Sequence, residues 1–198
     1  MGDVALILLP EEVSSPRLTI RRWTSDDVTA LRAAIEQSAE LLRPWMSFMD
    51  AEPMSDSDRV AQIEGWERER QLGGGAFYGM FVGDEVVGGC LLHRRAGPDI
   101  VGVGYWLNAD HLGHGYAREA AAHLTTAALT LPGITRVEIH HDAANTASRR
   151  VPESLGFHFD GERPEEPSAP GEIGVNVAWT TTAATWSGPP EQNLRPMI

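Results

Sequence analysis

The stretch Tyr105-Trp-Leu-Asn-Ala-Asp-His-Leu-Gly-His-Gly-Tyr-Ala-Arg-Glu-Ala120 decides the fold. The apolar residues 100–107 predict a strand, and Gly113 and Gly115 follow in a short loop. A long helix is expected to start at Gly115 or Tyr116 and reach Leu131, because Ala117, Ala120, Ala121, Leu124, Ala127, Ala128 and Leu131 share one stripe at helical spacing. Such a strand–loop–helix junction points free backbone N–H groups and the positive end of a helix dipole at one spot, which suits an anion. Glycines let a phosphate approach where a Cβ would obstruct it, and Arg118 adds a charged donor in the first turn. A plain tight turn is the competing reading. The better-known phosphate loops do not fit: no Gly-Lys-Ser/Thr follows, and a dinucleotide fingerprint would need glycine where Arg118 stands.

Working outward, residues 18–23 alternate after Pro16 and read as the first strand. Thr24 or Ser25 then caps a helix with apolar positions Val28, Leu31, Ala34 and Ile35. A second helix is expected over 57–71, stopping at Gly73-Gly74-Gly75. Strands over 76–82 and 86–93 are joined by Gly83-Asp84-Glu85 as a hairpin. Downstream come a strand over 136–141, a short helix over 146–155, a strand over 156–160, a Pro-, Glu- and Gly-rich loop over 163–174, and a last strand over 175–182. The class is α/β: one domain over residues 1–186, about four helices on a mixed sheet of about seven strands, then a proline-containing tail over 187–198.

Composition sets limits. The chain has 198 residues, 42% of them apolar, enough for a core without disulfides or metals. Its single cysteine, Cys90, fits a reducing compartment. The apolar run over 4–9 is too short to span a bilayer and lacks the flanks of a leader, so a cytoplasmic, membrane-free protein is expected. A net charge of -12 argues against nucleic acid and is compatible with a cationic partner such as an amine.

Three segments together resemble one family. Leu112-Gly-His-Gly-Tyr-Ala117 looks like the pyrophosphate loop of the GNAT acyltransferase superfamily, and Asn145-Thr-Ala-Ser-Arg-Arg-Val-Pro-Glu-Ser-Leu-Gly-Phe157 looks like its later helix and Gly-Phe ending. Leu42-Arg-Pro-Trp-Met46 and Gly104-Tyr-Trp-Leu107 look like the RimJ/RimL-like branch, which acetylates ribosomal-protein N-termini. The resemblance covers residues 17–182. It implies a mostly antiparallel sheet splayed at the fourth and fifth strands, with acetyl-CoA (coenzyme A) lying in the fork. The amides of Gly113, His114, Gly115, Tyr116, Ala117 and Arg118 would hold the pyrophosphate. The strand edge from Val103 through Tyr105 to Trp106 would pair with the pantetheine amides, and one of its amides would polarise the thioester. Asn145 would bond the cofactor arm, or only cap its helix. The acceptor would be a protein or peptide α-amine. A small-molecule amine is the alternative, and an acyl-CoA-binding module without turnover is another. The chain would act as a monomer or homodimer.

Several positions depart from the family pattern. Many members carry a tyrosine in the later helix as the acid for the leaving thiolate; Pro152 stands there. Ser148 is the nearest hydroxyl and the candidate catalytic donor to sulfur, its other reading being a helix-start hydroxyl. Pro152 also removes a hydrogen bond to the Ser148 carbonyl, so a strained or late-starting helix is expected. Leu112 replaces a polar loop residue. Relatives place a glutamate on the fourth strand, where this chain has Val101-Gly102. His93, His140, His141 and Asp142 remain as base candidates beside a water relay, and strand alternation lets one of His140 and His141 face the cleft. Paired metal ligands at known spacings are missing, so no metal is expected. Cys90 reads as packing, and Trp45, Trp66 and Trp106 as either core or acceptor-site walls.

Overall fold

The structure, a computed structural model, describes residues 8–190. Through them runs an eight-stranded sheet in the order β1-β2-β3-β4-β5-β6-β8-β7. Its strands are β1 (Glu12–Ser14), β2 (Thr19–Arg22), β3 (Ala76–Val82), β4 (Glu85–Arg94), β5 (Ile100–Leu107), β6 (Arg136–Asp142), β7 (His158–Pro164) and β8 (Val175–Thr182). All neighbours are antiparallel except β5 and β6, which run parallel. The helices are α1 (Val28–Gln37), α2 (Ala39–Leu42), α3 (Asp56–Gln71), α4 (Tyr116–Leu129) and α5 (Thr146–Ser154).

Two apolar clusters hold the layers together. The alanine stripe of α4 packs Ala120, Ala121, Leu124 and Ala128 against Val101, Val103, Val137 and Ile139 on one side of the sheet. Small side chains let the helix lie close to the strands. On the other side Val28, Leu31, Ala34 and Ile35 of α1 and Ile63 of α3 meet Trp23, Phe81 and Val86. That 28/31/34/35 spacing is the apolar face read in the sequence.

The fork follows from the pairing. β5 and β6 stay in register over Ile100↔Arg136, Val101↔Val137 and Gly102↔Glu138, although β5 continues to Leu107 and β6 to Asp142. Beyond Gly102 each strand keeps its other neighbour instead. β5 follows β4 to the Gly88↔Leu107 pair, and β6 follows β8 to Asp142↔Asn176. Twist then opens a wedge between them.

Four expectations are corrected. The strand β1 was not foreseen, since three residues are too few to show alternation; the expected fourth and fifth strands are therefore β5 and β6. The single-turn helix α2 was also missed. The strand expected over 156–160 is His158–Pro164. A register shift between Phe159 and Gly161, with Gly161 at φ 113°, carries it on, and its edge position tolerates Pro164. Finally, α5 starts at Thr146 without delay despite Pro152. Within the expected tail only residues 187–190 are described; just before them Trp186 donates to Thr126 Oγ1 at 2.9 Å and meets Phe157 edge-on. No helix among the described residues is long and apolar enough to cross a membrane.

Candidate active site

The glycine loop needs its glycines. Gly113 and Gly115 have φ of 79° and 78°, a region that costs any residue with a Cβ. Gly115 is the N-cap of α4, so the amides of Tyr116, Ala117 and Arg118 lie in the first turn, where no helical carbonyl precedes them. A Cβ at Gly113 would meet nothing within 4 Å, so the space above the loop is open. His114 stacks on Tyr116 with ring centroids 5.5 Å apart. Arg118 is exposed and reaches the Ser154 carbonyl at 3.4 Å, toward the end of α5.

Two residues the sequence reading passed over brace this loop. Arg17 donates from Nη1 to the His114 carbonyl at 2.9 Å and from Nε to Glu119 Oε2 at 2.6 Å. The Glu119 side chain is 3% exposed, and it also accepts from the Ser15 hydroxyl and the Arg17 amide. Its place in the first turn of α4, beside the loop, was the available signal.

At the fork the helix α5 supplies Ser148. Asn145 caps α5, its Oδ1 accepting from the Ser148 amide at 3.0 Å. The carbonyl of Ser148 is the one that Pro152 cannot bond. The Tyr105 hydroxyl donates to it at 3.1 Å and lies 3.3 Å from Ser148 Oγ. Burial raises the Tyr105 pKa and the Ser148 contact offsets only part of that, so the phenol keeps its proton. With that proton committed, the Ser148 hydroxyl is left free to donate into the cleft or to Tyr105.

A cavity of about 360 Å³ passes between the two faces of the sheet at this point. Val103, Tyr105, Asn145 and Ser148 line it on the α4–α5 side. On the α1–α3 side stand Trp23, Trp45, Phe48, Trp66, Phe77 and Trp106, so the three tryptophans named from sequence do wall a cleft. Trp66 and Phe77 stack at 4.8 Å, and Arg59, Gln62, Glu172 and Cys90 also lie in the wall. Burial pushes the Cys90 thiol far up, so it is no nucleophile at neutral pH.

The base candidates separate clearly. Burial, then Arg95 and His140, press the His93 pKa down to about 4; its ring covers Gly102, where a Cβ would come within 2.4 Å of it. His141 is buried, its Nδ1–H donating to the Asp142 carbonyl at 2.8 Å and its Nε2 accepting from the Trp179 indole at 3.0 Å. Burial first, and Arg149 further, lower its pKa against the pull of that carbonyl. Asp142 is a loop staple: Oδ1 accepts from the Ala144 amide and Oδ2 from those of Ile173, Gly174 and Val175. Burial raises its pKa, but those four amides outweigh it and hold it below the usual value. The expectation that one of the two histidines faces the cleft is modified, because the open fork leaves both in the wall, yet His141 has no nitrogen to spare.

His140 is different. Its Nε2 sits 2.9 Å from Glu138 Oε2 and its Nδ1 3.0 Å from the Asn176 amide nitrogen. Arg95 Nη2 lies 3.2 Å from either ring nitrogen, and Arg95 and Arg136 face the Glu138 carboxylate at 3.4 and 3.1 Å. Glu138 is paired across the sheet with Gly102, the position where sequence comparison found no carboxylate. Arg136, Glu138 and His140 alternate along β6, a polar phase inside an apolar strand that was legible and unused. Among the described residues no cluster of three or more His, Cys, Asp or Glu side chains is gathered for a metal.

Comparison with known proteins agrees with this geometry. A family described as "Acetyltransferase (GNAT) domain" matches residues 17–158. The protein named "Putative ribosomal N-acetyltransferase YdaF" of Bacillus subtilis (strain 168) is 28% identical over 151 residues, 73% of this chain and 80% of that one. A crystal structure titled "Probable acetyltransferase" superposes with a TM-score of 0.80 at 25% identity, covering 88% of this chain and 98% of the other. RimL, titled a ribosomal L7/L12 alpha-N-protein acetyltransferase in complex with coenzyme A, shares the fold with a TM-score of 0.77 at 19% identity, covering 88% and 97%. With the family match extending from Arg17 of the loop brace to His158, past the whole of α5, the chain belongs to the GNAT acetyltransferases.

Proposed function

We propose that this acetyltransferase moves acetyl from acetyl-CoA to the primary amine at the N-terminus of a protein or peptide, by direct attack with both substrates bound. The observation that carries it is the through-sheet cavity, which joins Ser148 and the free β5 edge on one side to an aromatic chamber on the other. The glycine loop offers amides to the pyrophosphate of the donor, and the unpaired edge of Val103–Trp106 offers amides to its arm and thioester. Asn145 has Nδ2 left over for that arm, since capping uses only Oδ1.

The neutral amine attacks the thioester carbon; the new C–N bond forms as C–S breaks and sulfur keeps the pair. The Ser148 hydroxyl donates a hydrogen bond to that sulfur as it takes on charge, and the thiolate then takes its proton from water. The proton lost by the amine passes by way of water to His140, whose Nε2 faces Glu138 Oε2 and whose Nδ1 gives up the Asn176 Nδ2 and Arg95 contacts to take it. Asn176 suits both states of the ring, its Nδ2 donating to neutral Nδ1 and its Oδ1, at 3.2 Å, accepting once Nδ1 is protonated. The enclosed chamber also suits a small amine, which is the second reading. A ribosomal or other cytosolic protein acceptor implies the cytoplasm as the site of action.

Calorimetric titration with acetyl-CoA followed by a thiol-release assay on peptide amines tests the proposal; absence of donor binding would overturn it. Ser148→Ala is expected to lower kcat by ~10–100-fold with donor affinity kept. Unchanged turnover would return Ser148 to a helix-start role. His140→Gln should lower kcat by about 100-fold near pH 7, and the loss should shrink as rising pH deprotonates the amine in solution. A loss that stays constant with pH would argue against His140 as the base.

A further inference from the structure

The two carboxylates on the acceptor side of the cavity keep their charge but are held in place by hydrogen bonds rather than free to close on an incoming group. They are Asp142 and Glu172. Asp142 spends both oxygens on four backbone amides. Glu172 accepts from the Ser168 and Ala169 amides and from the Ser168 hydroxyl. The cation in that wall, Arg59, is 3% exposed and is matched by Glu52 and Gln62. The net charge of -12 draws cations to the molecule as a whole and does not by itself select one acceptor.

What the wall does offer is ring surface. Trp45 and Phe48 come from the turn after α2, Trp66 from α3, and Trp106 from β5. The loop bearing Glu172 closes the chamber. Its Gly171 amide donates to the Pro44 carbonyl at 2.9 Å, and Gly171 lies so close that a Cβ would be 2.7 Å from Pro44. Apolar walls of this kind also favour the uncharged form of an amine, the form that attacks.

We propose that the acceptor presents its amine beside a bulky apolar or aromatic group, such as Phe, Tyr, Trp, Leu or Met at a peptide N-terminus, and that polyamines and small polar first residues, which lack such a group, are poor acceptors. This rests on the acetyl-transfer reading above. It separates the alternatives left open by the sequence, because an aminoglycoside or polyamine has no apolar group to lay against the rings.

The test is thiol release with acetyl-CoA and peptides identical except for residue one (Phe, Met, Ser or Ala), with phenethylamine and spermidine alongside. Phe- and Met-starting peptides should show kcat/KM at least ~10-fold above Ser and Ala, with spermidine inactive. A Ser or Ala peptide as good as Phe, or turnover of spermidine above the aromatic amines, would overturn the inference and leave acetyl transfer standing. Release from no amine, despite donor binding, would remove both. Trp66→Ala should reduce kcat/KM for the Phe peptide ~10-fold more than for the Ser peptide, at unchanged acetyl-CoA affinity. Phe48→Leu serves the same purpose if the Trp66 variant does not fold. Equal losses on both peptides would count against a ring-lined side-chain pocket.

Discussion

Gly115→Asp should yield a folded protein that has lost acetyl-CoA binding by at least ~100-fold in a calorimetric titration. Gly115 sits at φ 78° at the head of α4. Aspartate tolerates this region better than most residues, and an acid at a helix N-terminus suits the dipole, so the fold should survive. The carboxylate, however, would take the amides proposed for the phosphates and add like charge. Each charge-assisted hydrogen bond is worth about 1.5–3 kcal/mol, so losing two accounts for the size of the effect. Normal affinity in this variant would sink the assignment of the loop.

Arg17→Met should cost about 2 kcal/mol of stability and weaken the donor site as well. It strands the Glu119 carboxylate, whose side chain is 3% exposed. Breaking a buried pair typically costs 3–5 kcal/mol. Here Arg17 is 37% exposed, and the Ser15 hydroxyl and the Arg17 backbone amide still reach Glu119, so a smaller loss is expected. In a chain of this length the melting point should fall by roughly 4–8 °C. Combining the change with Glu119→Leu should return part of it, because no stranded charge then remains. An unchanged melting point in the single variant would mean that water reaches Glu119.

Local signals were legible in the sequence and pairwise ones were not. The α4 stripe, the 28/31/34/35 face of α1 and the glycine hairpin at Gly83 are each local, and each forms where it was read, although α4 ends at Leu129 rather than Leu131 and the hairpin turn is Gly83-Asp84, with Glu85 already in β4. Pro152 announced that the Ser148 carbonyl would lose its helical partner, and that followed from covalent structure alone. The replacement donor, Tyr105, lies 43 residues upstream, and nothing local pairs the two. Strain was expected for that reason where a bond was found. The same limit hid the Arg17–Glu119 brace, which spans 102 residues, and the contact of Arg95 with His140 across 45. Glu138 was hidden differently: the search for a carboxylate stayed on β5, whereas the register sets it opposite Gly102 on the adjoining strand.

The parting of β5 and β6 has a consequence for molecular traffic. A sheet is normally a wall, and here the wedge puts residues of α5 and residues of α1 and α3, from opposite sides of it, around one cavity. Under the acetyl transfer proposed above, the thioester and the amine would then approach the gap between β5 and β6 from opposite faces of the sheet, and neither would have to back out for the other to enter.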